Sequence, residues 1–165
     1  MGINLMSPLT SIDSSAVHPL GTRIEANGGV VYRYAYNAGA DTLAAGEVIG
    51  FSQTTPTYGY ISGTATDIID GSSSCAFAMG IALAAIPTTK YGWVQTAGPN
   101  QAAITTDGNV AVGSSVTMGG TTSPDGTLIP FGAGTEEMIA GHALAADSGT
   151  TSAVNTIVLN CDKFW

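Results

Sequence analysis

Charge is scarce in this chain. Of 165 residues, four are Lys or Arg and twelve are Asp or Glu, so charged side chains make up 10 %, where about 25 % is usual. Four cations cannot build a basic tract. A net charge of −8 repels a phosphate backbone, which argues against nucleic acid as a partner. Cysteine is almost missing: there are Cys75 and Cys161 and no others. There is no CxxC and no Cys/His cluster, so a zinc site has no ligand set. Both cysteines sit in apolar, strand-like runs and read as buried thiols, with a disulfide between them left open. No apolar run reaches the roughly 18 residues of a membrane-spanning helix. The start, Met1 to Met6, lacks the basic residues and long apolar stretch of a signal peptide.

Catalytic groupings are missing too. Serine is plentiful, but no Gly-x-Ser-x-Gly elbow occurs. Histidine occurs twice: His18, wedged before Pro19, and His142, inside an apolar run, where the expected role is a buried structural histidine with a partner. Glu136 and Glu137 are adjacent, and on a strand their side chains diverge. Asp67, Asp70, Asp107 and Asp125 fall at turns, where Asp is locally favoured, and they lack EF-hand or nonapeptide spacing. The expectation is a protein with no enzyme activity, no metal and no cofactor.

What is present is apolar and glycine-rich. Hydrophobic residues make up 44 % and there are 22 glycines, a composition that disordered chains lack. The length suits one domain with a sizeable core. Tyr91-Gly92-Trp93-Val94-Gln95-Thr96 alternates as a strand. Ala97-Gly98-Pro99-Asn100 reads as a turn, and Ala102, Ala103 and Ile104 as the next strand. Asp107-Gly108 is a hairpin signal. Val110, Val112, Val116 and Met118 follow at even spacing. Trp93 is expected to be a core or interface anchor, with a ligand-stacking platform as the other reading.

Residues 1–22 follow no period, yet they hold Ile3, Leu5, Met6, Leu9, Ile12, Val17 and Leu20. A polar tag would not. The segment reads as an extended arm whose apolar side chains order against something else, or else as a first edge strand. These seven residues and Trp93 are the candidate interface residues, and 23–165 is the expected single β-rich domain.

Val30, Tyr32, Tyr34 and Tyr36 share one face of a strand, and Glu47–Phe51 forms another. Residues 52–74 are loop-rich, with short β-like pieces at Tyr58–Ile61 and Asp67–Ile69. From Cys75 to Ile86, large residues alternate with Ala76, Ala78, Gly80, Ala82 and Ala84. That period of two marks a strand with one face that something approaches closely. Leu128–Phe131, where Pro130 suggests an edge, Glu136–Ala146 and Val154–Cys161 complete the strand set.

Two echoes run through the chain. Leu43-Ala44-Ala45-Gly46 with Ile49 matches Val110-Ala111-Val112-Gly113 with Val116, 67 positions on. Gly80-Ile81-Ala82-Leu83-Ala84-Ala85 matches Gly141-His142-Ala143-Leu144-Ala145-Ala146, 61 positions on. The expected fold is all-β, a compact barrel or sandwich made of two related β-units with an N-terminal arm. Chance recurrence in an Ala/Gly-rich chain is the other explanation.

His18-Pro19-Leu20-Gly21-Thr22, Tyr32-Arg33-Tyr34, Leu43-Ala44-Ala45-Gly46, Tyr91-Gly92-Trp93-Val94-Gln95, Asp107-Gly108 and Gly141-His142-Ala143-Leu144-Ala145-Ala146 occur here in that order. As an ordered set they resemble the small head-decoration, or capsid cement, proteins of tailed bacteriophages, especially those of marine phages. The resemblance covers most of the chain, and Tyr-Gly-Trp-Val-Gln is its sharpest member. It implies a β-rich protein that trimerises on the outer face of the capsid, binds the major capsid protein and stabilises the shell. It implies no enzyme activity and no cofactor; the acidic balance and the short apolar runs are what argue against a nucleic-acid or membrane partner. Segment 52–74 is longer than in that family, which leaves an added surface role open. The alternative is a β-sandwich glycan-binding module of a fibre or cell surface, stacking sugars on Trp93 and nearby tyrosines.

Overall fold

A computed structural model describes residues 8–38, 41–51, 64–66, 78–105, 110–118, 127–131, 139–146 and 153–162. Every element among them is a strand: β1 (Arg23–Ala26), β2 (Val30–Asn37), β3 (Val48–Phe51), β4 (Thr64–Thr66), β5 (Ala78–Ala82), β6 (Tyr91–Thr105), β7 (Ser115–Met118), β8 (Leu128–Pro130), β9 (Gly141–Ala143) and β10 (Ala153–Asn160). The fold is all-β, as the two-residue periods and glycine punctuation require. In the run after Cys75, the alternation outweighs alanine's helix preference and gives β5. The Glu136–Ala146 stretch contributes β9. β4 lies in the loop-rich segment, between the two β-like pieces read from sequence, which themselves fall outside the described residues.

β6 organises the sheet. It runs for 15 residues, straight through Ala97-Gly98-Pro99-Asn100, where a turn was expected. Side chains make this continuity workable. Gln95 Nε2 donates to the Pro99 carbonyl at 2.8 Å, and Asn100 Nδ2 donates to Gln95 Oε1 at 2.9 Å. The Ala102 N–H then donates to Asn100 Oδ1 at 2.8 Å. Backbone groups that would otherwise need a turn are thereby satisfied inside an irregular strand. Gly98 takes φ 84°, and a Cβ there would lie 2.8 Å from the Gly29 carbonyl oxygen, so only glycine fits. The ladders slip on either side of this point. Val31 pairs with Ala97 but Tyr32 with Gln95, and Asn155 pairs with Ala103 but Ile157 with Asn100.

The pairings form two circuits that share β6. In the first, β2 pairs with β4 in parallel, and β4–β3, β3–β5, β5–β6 and β6–β2 are antiparallel. In the second, β6 pairs with β8 in parallel, and β8–β7, β7–β9, β9–β10 and β10–β6 are antiparallel. These are the same five pairings in the same chain order. The first part of β6 is the last strand of unit 1, and its second part is the first strand of unit 2. The ten strands therefore do not form one closed barrel. Because Leu128 of β8 pairs with Thr105, the edge suggested by Pro130 is paired at its start.

The echoed sequences sit at equivalent places. Gly46 donates to the Ala82 carbonyl and Gly113 to that of Ala143, at 2.9 and 2.8 Å, with φ 86° and 82°. Leu83 donates to Trp93 O and Leu144 to Thr156 O. Gly80 and Gly141 are equivalent too. A Cβ on either would come within 2.3 Å of a backbone oxygen, that of Gln95 or of Val158. Each unit thus presses a glycine of one strand onto the next strand's backbone. The close approach expected of the small-residue face is met inside the chain: Gly80 abuts β6, and Ala82 is buried in the unit 1 core. Ala35, Leu43, Ile49, Met79, Ala82, Ile86 and Val94 fill unit 1. Unit 2 gathers Val110, Val116, Leu128, Ala143, Ile157, Leu159 and Cys161, joined by Val48 and Ile81 from unit 1.

Candidate functional site

The N-terminal segment lies across the outer face of β2 and β6. Asp13 and Tyr91 exchange backbone hydrogen bonds of 2.9 and 3.1 Å. After Pro19, a tight bend with Gly21 at φ 76° returns the chain, and Gly21 and Thr22 bond the backbone of Tyr34. Strand alternation puts Tyr34, Tyr36, Tyr91 and Trp93 on this face. Tyr34 pairs with Trp93 and Tyr36 with Tyr91, and the aromatic rings form a continuous layer. Tyr34 lies 5.1 Å from Trp93 and stacks on Tyr91 at 6.0 Å.

His18 closes the layer from the arm. Its ring meets Tyr34 edge-on at 5.2 Å and Trp93 at 5.2 Å, in the offset geometries that ring quadrupoles favour. The Tyr34 hydroxyl donates to Asp13 Oδ2 at 2.7 Å. Burial, reinforced by that bond to Asp13, holds the Tyr34 phenol above its ordinary pKa. His18 Nε2 and Trp93 Nε1 are buried without a hydrogen-bond partner among the described residues. Burying two polar atoms in this way costs free energy, and aromatic packing offsets it.

The candidate contact residues are placed as follows. Ile3, Leu5 and Met6 lie outside the described residues. Leu9 and Leu20 are half-buried, while Ile12 and Val17 are exposed at 36 % and 37 %. Ile12 approaches Gly92, where any Cβ would crowd it. Trp93 is 1 % exposed. It is a core residue enclosed by its own arm, so it offers no face to a sugar or a subunit.

The histidine expected to be buried is not the one that is. His142 is exposed, because on β9 it points away from the core that Gly141 and Ala143 face. Its Nδ1 lies 3.3 Å from Ser115 Oγ. His18, in the arm, is the buried one. Cys161 is buried and donates its thiol to the Ala140 carbonyl at 3.4 Å. Cys75, Asp107, Gly108 and the Glu136-Glu137 pair lie outside the described residues.

A second polar cluster, which the sequence reading missed, ties the C-terminal end to the arm's end of the sheet. Asp162 accepts from Arg33 Nε at 2.8 Å, Arg23 Nε at 3.0 Å and Thr96 Oγ1 at 3.0 Å. Arg23 also pairs with Glu25. Burial alone would raise the Asp162 pKa, but the bonds from Arg33, Arg23 and Thr96 together hold it below its ordinary value. Two of the chain's four basic residues are committed here. The signal in the sequence was that very scarcity of cations, since neither arginine sits in a charged run.

No protein family model matches the chain, and no curated protein matches it. Among solved structures it is similar to the N base of the head fiber protein gp8.5 of bacteriophage phi29. The match has 15 % identity, spans 79 % of this chain and 94 % of that one, and has a TM-score of 0.49. A likeness at that level carries no function with it.

Proposed function

We propose that this chain is a capsid decoration protein of a tailed bacteriophage, which binds the major capsid protein on the outer surface of the virion as a homotrimer and stabilises the shell. The ordered motifs from His18-Pro19-Leu20-Gly21-Thr22 to Gly141-His142-Ala143-Leu144-Ala145-Ala146 support this reading, as does an all-β body with few charges. The observation that carries it is the arm. Asp13 and His18 pin it to the body, while Ile12 and Val17 stay exposed. Ahead of that anchor the sequence places Ile3, Leu5, Met6 and Leu9. Each Leu, Ile or Met buried on a partner contributes roughly 1.5–3 kcal/mol. Ordering the backbone opposes this by about 1–2 kcal/mol per residue, so strand addition to a capsid edge is the favoured mode. The glycan-binding alternative loses its main platform, because Trp93 is buried.

The test is binding to capsids stripped of decoration. A chain lacking residues 1–11 keeps Asp13 and His18, so it should melt within a few degrees of the full chain. It should bind capsids at least about tenfold more weakly, the equivalent of about 1.4 kcal/mol. Equal binding by the shortened chain would move the contact to the body and end the anchoring role of the arm.

A further inference from the structure

Ala26 of β1 pairs with Val30 of β2, so Asn27-Gly28-Gly29 is the tip of a hairpin. All three residues are exposed. Gly28 and Gly29 take φ 82° and 76°, a region that a residue with a Cβ enters only at a cost. Of the seven asparagines in the chain, Asn27 alone precedes a glycine. Among the described residues, no hydrogen bond holds its side chain or the Gly28 N–H. Asn37 and Asn100 differ in every respect. Both are buried. The Asn37 amide nitrogen donates to the Asp41 and Ile86 carbonyls, and that of Asn100 donates to Gln95 Oε1.

We propose that Asn27 is a site of spontaneous covalent modification, deamidating through a cyclic imide to aspartate and isoaspartate. The nucleophile is the Gly28 backbone nitrogen once water or hydroxide has taken its proton. It attacks Asn27 Cγ. The new N–Cγ bond forms, and the Cγ–Nδ2 bond breaks as ammonia leaves with a proton from water. A second water opens the imide. Cleavage of the N–Cγ bond leaves aspartate. Cleavage at the main-chain carbonyl carbon of Asn27 leaves isoaspartate, whose backbone runs through the former side chain and is one carbon longer. Glycine after the asparagine leaves the attacking nitrogen uncrowded and lets the turn reach the ring geometry. Exposure supplies the water.

The turn sits where an extra backbone atom has an effect. The Gly29 carbonyl oxygen and Val30 Cα abut Gly98, in the irregular middle of β6, so closely that a Cβ there would lie 2.8 Å from each. A longer turn displaces that contact and the end of β1, whose Arg23 bonds Asp162. The product carboxylate also adds to a net charge of −8. None of this depends on capsid binding.

The scarcity of basic residues makes the test direct, because trypsin frees Ile24–Arg33 as one peptide. The full chain is held folded in mildly alkaline buffer over weeks, then digested and resolved by chromatography and mass. The Asn27 amide should turn to acid, as a mixture of aspartyl and isoaspartyl forms, before any other asparagine does. The rate should rise with pH, since the attacking nitrogen must lose a proton. Asn27→Gln, which would need a larger ring, should slow it at least about tenfold. The aged protein should melt below the Asn27→Asp variant, which has the charge without the longer backbone. Equal melting of the two would overturn the loosening of the turn. An Asn27 that keeps its amide in the folded chain while the free 24–33 peptide converts, or acid that appears first at Asn37 or Asn100, would overturn the site itself.

Discussion

The two units share their pairings and differ in what their outer faces meet. In unit 1 the face carries Val48, Ile81 and Trp93, each 1 % exposed or less. In unit 2 the equivalent residues are Ser115, His142 and Thr156, and none is buried. The backbone solution is common to both, down to the glycine pressed against a neighbouring carbonyl. Side-chain polarity follows the covering. Where unit 2 or the arm lies over the face, the residues are large and apolar; where nothing among the described residues does, they are small or polar. This is the behaviour of terminal repeats in stacked arrays, whose outer faces become polar.

The shared glycine is where the comparison should break hardest. Gly80 stands at φ 154°, and its added Cβ would overlap the Gln95 carbonyl. Gly80→Ala is expected to cost about 3–5 kcal/mol, from overpacking together with backbone strain. Gly141→Ala, which has the overlap alone, should cost about 2–3 kcal/mol. Urea unfolding of both variants measures this. Costs below about 1 kcal/mol would show that the approach is soft.

Exchanging the face residues should be asymmetric. Ile81→His places an imidazole in an apolar core and should cost about 2–4 kcal/mol. His142→Ile acts on an exposed position and should stay within about 0.5 kcal/mol of wild type. Equal costs would mean that the two faces are covered alike.

Much of this was readable beforehand, for a physical reason. Leu43–Gly46 and Gly80–Ala85 recur at Val110–Gly113 and Gly141–Ala146, sites where close packing tolerates few residues, so the repetition of the unit is legible. Strand periodicity is local and survived as well. What failed depended on distant partners. Gly98-Pro99 has turn chemistry, and only the bonding of Gln95 and Asn100 shows why the chain runs on. Alternation shows that His142 differs in facing from Gly141 and Ala143, but not which side the core occupies. His18 carried no periodic signal, because its burial comes from rings more than ten residues away in sequence. The aspartate cluster fared no better, since Asp162 and the arginines meet only after folding.

A loss smaller than at Gly80, Gly141 or Ile81 is expected at the clasp between the C-terminal end and unit 1. The folded Asp162 pKa is lowered, so the carboxylate contributes stability above the ordinary Asp range. That contribution is lost as pH falls through the depressed folded value. Asp162→Asn should cost about 1–2 kcal/mol at neutral pH, allowing for partial exposure. It should also flatten the melting temperature against pH in the acid range below about 4. An unchanged acid slope would show that Arg23 and Arg33 hold nothing through it.

The strand common to both circuits also sets how the molecule bears load. A force that pulls unit 1 from unit 2 is carried along the covalent backbone of β6, and not only by side chains packed between the units. Tension on that strand loads the ladders to β2 and β10 in shear, so several hydrogen bonds must yield together before either circuit opens. The two units therefore behave mechanically as one rivet with two heads on a single shank.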